Sequence, residues 1–226
     1  MKSICIIGNG RMGNAIKEIL SDQYKSYQYS RLTKENLDDF LKNLRISDGV
    51  IDASHPDNIE SALEDCLTNK KPYLCCTTGL RESHFEHLKK AGKEIPVLYA
   101  ANTSLGIAIL KKAAALVSKA LGNEADIKIF EKHHALKKDA PSGTALELGK
   151  TIAQTGYLEM SIQYESVREG DIIGEHMVQF TFEDEIIQLN HECLNRNVFA
   201  KGALKAAHWL FKQPPGFYTL NDVLGM

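Results

Sequence analysis

The chain has 226 residues, 43% hydrophobic and 25% charged, with a formal net charge of -2. That length provides one large domain or two small ones, with cores that need no covalent staples. The near-neutral charge excludes a general nucleic-acid binder, which needs a basic surface, and no run of about 18 apolar residues is there to span a membrane.

Ser3-Ile4-Cys5-Ile6-Ile7 is a continuous apolar run that stops at glycine, which predicts a strand buried on both faces. The run is too short for a signal peptide and has no cleavage site, so a cytoplasmic protein is expected. Apolar residues at helical spacing from Met12 to Leu20 predict a helix, and Tyr27 to Ser30 a second strand. Leu37 to Leu44 then reads as a helix, Val50 to Ser54 as a strand and Ile59 to Leu67 as a helix. Pro72 to Cys76 reads as a strand, Phe85 to Ala91 as a helix and Pro96 to Ala100 as a strand. Strands alternating with helices over short connections imply a parallel, doubly wound sheet of the Rossmann-like α/β class.

The rhythm changes after Asn102. A long helix is predicted from Ile107 to Leu121 and a strand from Asp126 to His134. Strand-like runs without intervening helices follow between Ser161 and His191, including Met177 to Phe182 and Ile186 to His191. These predict a smaller α+β domain with a mixed, mostly antiparallel sheet. Phe199 to Phe211 is helical again. Cys5, Cys66, Cys75, Cys76 and Cys193 show no CxxC spacing, so they are expected as core filler in a reducing compartment.

Gly8-Asn9-Gly10-Arg11-Met12-Gly13 is GxGxxG after a strand and at the opening of a helix, the context in which that pattern implies dinucleotide binding. Gly8 permits the tight turn, Gly10 lets a pyrophosphate approach the backbone, and Gly13 allows close helix packing. The helix N-terminus adds N–H groups and a positive dipole end. The second strand ends near Ser30-Arg31 without the acidic ribose ligand of an NAD site. Arg31 can pair with a 2′-phosphate, so NADPH is expected to serve at least as well as NADH. Thr77-Thr78-Gly79 and Ala100-Ala101-Asn102-Thr103 close the fourth and fifth strands, on the edge where such sheets bind ligands.

EKHHALKKDAPSGTAL, Glu131 to Leu146, gathers potential cations in one place. His133 and His134 point to opposite faces if the strand persists through them, so one can face a cleft and the other a wall or an interface. Pro141 and Ser142 suit a helix start. Free N–H groups of the Pro141-Ser142-Gly143-Thr144 segment can hold a carboxylate, and Lys137 adds a positive charge, so a small anionic substrate is expected. Lys138 reads as solvated. His133, His134, His176 and His191 show no metal-ligand spacing, and no metal is expected.

These residues resemble the dihydrodipicolinate reductase family over nearly the whole chain. The signature E-x-H-H-x-x-K-x-D-A-P-S-G-T-A is matched at every fixed position from Glu131 to Ala145. Gly10-Arg11-Met12-Gly13, Thr77-Thr78-Gly79, Arg168 through His176 and Asp222-Val223-Leu224 match as well. The resemblance implies NAD(P)H-dependent reduction of 4-hydroxy-tetrahydrodipicolinate in diaminopimelate and lysine biosynthesis. Hydride would pass to C4 of a conjugated cyclic imine, and C3 would be protonated. It implies His133 as general acid, Lys137 as second catalytic residue, and His134, Gly143 and Thr144 as ligands of a small dicarboxylate. It also implies a homotetramer, with a dinucleotide-binding domain of residues 1–103 and 196–226 and a substrate-binding and oligomerisation domain of residues 104–195. Asp52-Ala53-Ser54 and Asn102-Thr103-Ser104 lack a phenylalanine frequent in the family. Two readings compete: another Rossmann oxidoreductase, such as an aspartate dehydrogenase, and a non-catalytic dinucleotide sensor. The intact His133, His134, Lys137, Gly143 and Thr144 set favours the reductase.

Overall fold

The computed structural model describes residues 2–20, 24–29, 35–156 and 161–226. The chain divides into two compact units, one of Met1–Ser104 with Asn197–Met226 and one of Leu105–Arg196.

In chain order the first unit begins with strand β1 (Lys2–Ile7), helix α1 (Arg11–Leu20), β2 (Tyr24–Tyr29), α2 (Leu37–Ile46), β3 (Gly49–Asp52), α3 (Ile59–Thr68), β4 (Tyr73–Cys75), α4 (Glu82–Ala91) and β5 (Pro96–Tyr99). The second unit holds α5 (Leu105–Leu121), β6 (Asp126–His133), α6 (Gly143–Ala153), β7 (Gln163–Arg168), β8 (Glu175–Phe182) and β9 (Glu185–Glu192). The chain then returns to the first unit as α7 (Asn197–Leu210), β10 (Gly216–Tyr218) and α8 (Leu220–Leu224).

The first sheet has the order β10-β5-β4-β3-β1-β2, and every pair is parallel. Ile4 to Ile7 are wholly buried, as an apolar run between two helical layers requires. One layer fills with Phe40, Leu44, Ile59 and Leu88 around Cys5 and Ile7. On α7, the alanines 200, 203, 206 and 207 are all buried, and their small size lets the helix pack against α1, β3, β4 and β5. The registers Tyr29↔Ile7, Ile7↔Asp52, Asp52↔Cys75 and Cys75↔Tyr99 align the carboxyl ends of five strands on one edge. The chain order reverses between β1 and β3 on that edge, which is where open parallel sheets bind ligands.

The second sheet runs β7-β6-β8-β9, with β6 parallel to β7 and the other pairs antiparallel. The parallel pair arises because α6 falls between β6 and β7 in the chain and serves as their crossover. The inner face carries Ile127, Ile129, Val178 and Phe180, packed with Ile107, Leu110 and Ala114 of α5 and Leu148 and Ile152 of α6.

Two expectations need correction. The strand predicted through His134 stops at His133, because the chain turns there with Lys137 N–H donating to the His134 carbonyl at 3.1 Å. Strand β10 and helix α8 were not anticipated, since three and five residues are too short for a periodic signal. All five cysteines are free and buried, and no helix among the described residues is long and apolar enough to cross a membrane.

Candidate active site

The first unit holds an open cavity of about 290 Å³ at the strand-order reversal, lined by Gly8, Asn9, Gly10, Ala53, Ser54, His55, Asp57 and Asn58. The three loop glycines do different work. Gly8 has φ +113°, and a Cβ there would meet the Ala53 carbonyl oxygen at 2.3 Å. A Cβ on Gly13 would meet the Gly8 carbonyl oxygen at 2.1 Å, whereas one on Gly10 would meet nothing within 4 Å. Gly8 and Gly13 therefore serve close backbone packing, and Gly10 opens the loop to a ligand. Gln28 braces the loop by donating to the Gly8 carbonyl at 3.0 Å and to Asn14 Oδ1 at 2.9 Å. Arg11, Met12 and Gly13 form the first turn of α1.

The other expected cofactor residues stand on the same sheet edge. Thr77 is buried, and its hydroxyl donates to Asp52 Oδ1 at 3.1 Å and receives the Ser54 N–H at 3.1 Å. Thr78 and Gly79 are exposed, with Gly79 at φ +75°. Ala100 is buried and donates its N–H to the Cys75 carbonyl. Ala101 and Asn102 are half-buried, and Asn102 Oδ1 accepts the Ser104 N–H at 2.9 Å. The Thr103 hydroxyl is committed to the Phe199 carbonyl at 2.7 Å. Arg31 lies outside the described residues. Ala53, Ser54 and His55 were not assigned a cofactor role in the sequence, although their place after β3, beside β1, was a signal.

In the second unit, β6 alternates buried and half-buried positions, so Ile127, Ile129, Glu131 and His133 share the inner face. The apolar half of that face is core, and its carboxyl end turns polar. Glu131 is 0% exposed. Its carboxylate is gripped by Arg168 through two bonds, Nη2 to Oε1 at 2.7 Å and Nη1 to Oε2 at 3.0 Å. Glu131 also hydrogen-bonds His133 Nδ1 and accepts the Ser142 N–H at 3.3 Å. Burial alone would raise the Glu131 carboxyl, but hydrogen bonds from Arg168, Ser166 and His133 outweigh it and hold it at about 2.

His133 is itself buried, and its ring meets that of His176 edge-on at 5.1 Å. Burial lowers its proton affinity below the ordinary 6.5; Glu131 opposes this, while Lys137 and Arg168 add to it. With Nδ1 tied to Glu131, Nε2 is the nitrogen left for chemistry. A Cβ at Gly174 would come within 3.1 Å of that Nε2, so glycine leaves it room. His176 sits opposite Glu131 on β8. Burial and the neighbouring His133 lower it to about 3, so it stays neutral.

Ser142 caps α6: its Oγ accepts the Ala145 N–H at 3.2 Å. Its own proton is then free to reach His176 Nε2, 3.2 Å away. Nothing lies within 4 Å of a Cβ on Gly143, so the opening turn of α6, which includes Thr144, can be approached by an anion. His134 is half-buried, just past the strand. Lys137 is ion-paired with Asp139, Nζ lying 2.7 and 2.8 Å from its two carboxylate oxygens. Lys138 is exposed. The structure thus joins His133 with three residues not assigned a site role in the sequence: Glu131, Arg168 and His176. Period-two reading of β6 and the matched signature were the available signals for Glu131; Arg168, 37 positions away, stood in a matched segment, but nothing there pointed to its pairing with Glu131.

Comparison with known proteins follows the same division of the chain. The family described as "Dihydrodipicolinate reductase, N-terminus" matches residues 2–103, and "Dihydrodipicolinate reductase, C-terminus" matches residues 106–224. A 4-hydroxy-tetrahydrodipicolinate reductase of Campylobacter lari is 40% identical over 237 aligned positions, covering 96% of each chain. One from Zymomonas mobilis is 41% identical, covering 96% of this chain and 94% of its own. Among solved structures, a dipicolinate-bound dihydrodipicolinate reductase from Paenisporosarcina shares the fold with TM-score 0.81 at 20% identity, covering 97% of each chain. An aspartate dehydrogenase from Thermotoga maritima shares it more loosely, with TM-score 0.52 at 16% identity, covering 92% of this chain and 96% of its own.

Proposed function

Because the chain belongs to the dihydrodipicolinate reductase family, we propose that it reduces 4-hydroxy-tetrahydrodipicolinate with NAD(P)H, in diaminopimelate and lysine biosynthesis. The observation that carries this reading is the Glu131–His133 pair at the polar end of the β6 face, beside the opening turn of α6. It puts a proton-handling imidazole next to an anion-binding helix end, which an acid-assisted reduction of a dicarboxylate needs and a passive sensor does not.

The residues of the first unit fit a dinucleotide. Gly10 leaves its loop open, α1 begins directly after it, and the cavity lies at the strand-order reversal. When bound, the nicotinamide supplies hydride to C4 of the conjugated imine. Everything else falls to the chain. Gly143, Thr144 and His134 hold the carboxylates, and Lys137 exchanges its Asp139 partner for one of them. His133 delivers the proton to C3 from Nε2, and Glu131 keeps the ring oriented and stabilises the imidazolium. Arg168 holds Glu131 in its ionised form and in place. Burial holds His133 below its ordinary 6.5. A bound dianion reverses part of that penalty and so helps load the proton that the reaction consumes.

NADPH is read as at least as good a donor as NADH, with Arg31 as the reader of a 2′-phosphate. The protein acts in the cytoplasm as a homotetramer; the exposure of Ile186 (58%) on β9 supports the use of that strand in assembly.

The deciding experiment couples the protein to dihydrodipicolinate synthase with pyruvate and aspartate semialdehyde and follows nicotinamide absorbance with each cofactor. Oxidation of NADPH or NADH that depends on the synthase product is expected. Absence of oxidation with both would falsify the reductase reading.

A further inference from the structure

Asp52 closes β3 and is wholly buried. Four donors reach its two oxygens. Oδ1 accepts the Ser54 hydroxyl at 2.6 Å, the Ser54 N–H at 3.0 Å and the Thr77 hydroxyl at 3.1 Å, and Oδ2 accepts the Tyr73 hydroxyl at 2.5 Å. None of the four donors is cationic. The two short contacts have the length of hydroxyl-to-carboxylate bonds. Burial pushes the Asp52 carboxyl up, and hydrogen bonds from Ser54, Tyr73 and Thr77 act against that push; Tyr73 is itself wholly buried. Four protein groups thus stand where water would solvate a carboxylate, with no cationic partner among them.

A buried charge without an opposite partner is costly to keep. Its position suggests what offsets it. Ser54 lines the cavity beside Gly8 and Gly10, and Thr77 opens the loop after β4. A dinucleotide lies across the strand-order reversal with its adenosine ribose toward the end of β2. The opposite half, at the ends of β3 to β5, then takes the nicotinamide. Hydride donation, with its two electrons, would turn that neutral ring into a pyridinium cation.

We propose that Asp52 is a positioning residue for the cofactor: an ionised carboxylate that ties the loops after β3 and β4 together and favours the cationic, oxidised nicotinamide over the neutral, reduced one. The charge would thereby assist hydride donation, since the pyridinium is already forming in the transition state. The idea rests on the dinucleotide reading of the first unit.

The test is binding rather than turnover. Dissociation constants of NAD+ and NADH, and of NADP+ and NADPH, are measured calorimetrically for the full chain and for Asp52→Asn, which keeps the shape and removes the charge. The oxidised form should lose about fivefold or more in affinity relative to the reduced form, as expected for one charge several ångströms away in a partly polar interior. Tyr73→Phe, which removes a donor but leaves the charge, should weaken both forms alike. Equal weakening of both forms by Asp52→Asn overturns the electrostatic role while leaving dinucleotide binding intact. Binding of neither form by the wild-type chain sinks both readings together. If Asp52→Asn does not fold, carbon-13 spectra of aspartate carboxyls in the wild-type chain decide: a buried carboxylate signal at pH 7 supports the proposal, and a carboxylic-acid signal defeats it.

Discussion

Glu131 and His133 stand two residues apart on the same face of one strand, and the carboxylate of the first holds Nδ1 of the second. The pair is fixed from outside by Arg168, which binds Glu131 through two nitrogens and anchors itself on the Asp139 carbonyl at 2.6 Å.

Glu131→Gln should therefore do two things at once. It leaves the half-buried Arg168 guanidinium without its anion, though still bonded to the Val167 and Asp139 carbonyls, costing about 1–3 kcal/mol of stability. It also removes the group that raises His133, so the alkaline limb of the kcat profile should move to lower pH, with turnover down roughly 10- to 100-fold. Urea denaturation and a pH–rate series read the two effects separately, and an unmoved limb would refute the positioning role. His133→Gln should lose about 100-fold or more in kcat while cofactor affinity is kept.

Lys137 is engaged by Asp139 before any substrate arrives. Lys137→Ala should raise KM for the dicarboxylate by about tenfold and lower kcat. Asp139→Asn should act in the opposite direction on KM, since the ammonium no longer has to exchange partners. Steady-state kinetics at saturating cofactor compare the two; a raised KM in Asp139→Asn would mean that the carboxylate aids binding.

The glycine loop separates packing from binding. Gly8→Ala and Gly13→Ala put a methyl group within 2.3 and 2.1 Å of backbone oxygens, and each should cost about 1–3 kcal/mol of stability. Gly10→Ala meets no protein atom, so its melting temperature should stay near wild type while cofactor affinity drops about tenfold. Thermal melts with calorimetry distinguish the cases, and a Gly10→Ala variant with normal affinity would remove the pyrophosphate from that spot.

His133, His176 and His191 are all held below their ordinary 6.5, chiefly by burial. Depressed histidines bind fewer protons folded than unfolded, so stability is full above pH 6.5 and declines as pH falls through that value. For His176 the decline continues towards about 3. Glu131 adds a second loss as pH falls below its ordinary 4.5 towards about 2. Urea midpoints at pH 7.5, 6 and 5 should fall in that order, and the slope should be shallower in His176→Gln. A flat profile would contradict the burial of neutral imidazoles.

Most of the first unit was legible because a parallel strand buried on both faces writes itself as an uninterrupted apolar run ending at a turn. Ile4 to Ile7 and Val50-Ile51 are such runs, and both lie where expected. Strand β10 was illegible because Gly216-Phe217-Tyr218 is held by its pairing with β5 and by little of its own. The candidate site was legible in its cations and glycines, which cluster within sixteen residues. It was illegible in its buried ion pair, since Glu131 and Arg168 meet only after two strands align in register. Lys137 shows the remaining gap: its type was informative, but its partner Asp139, two residues on, was not weighed.

The bond from Thr103 to the Phe199 carbonyl, with Gly202 packed so tightly on Thr103 that a methyl group would strike its oxygen at 1.8 Å, has a consequence for synthesis. The first unit needs α7 for its second helical layer and β10 for its edge, and both come from the last thirty residues. The contiguous stretch from Leu105 to Arg196 has emerged from the ribosome before those residues follow it. Maturation on the ribosome thus runs out of sequence order: the stretch from Leu105 to Arg196 can complete its core first, while the glycine loop, made before it, waits for α7 and β10 to acquire its support.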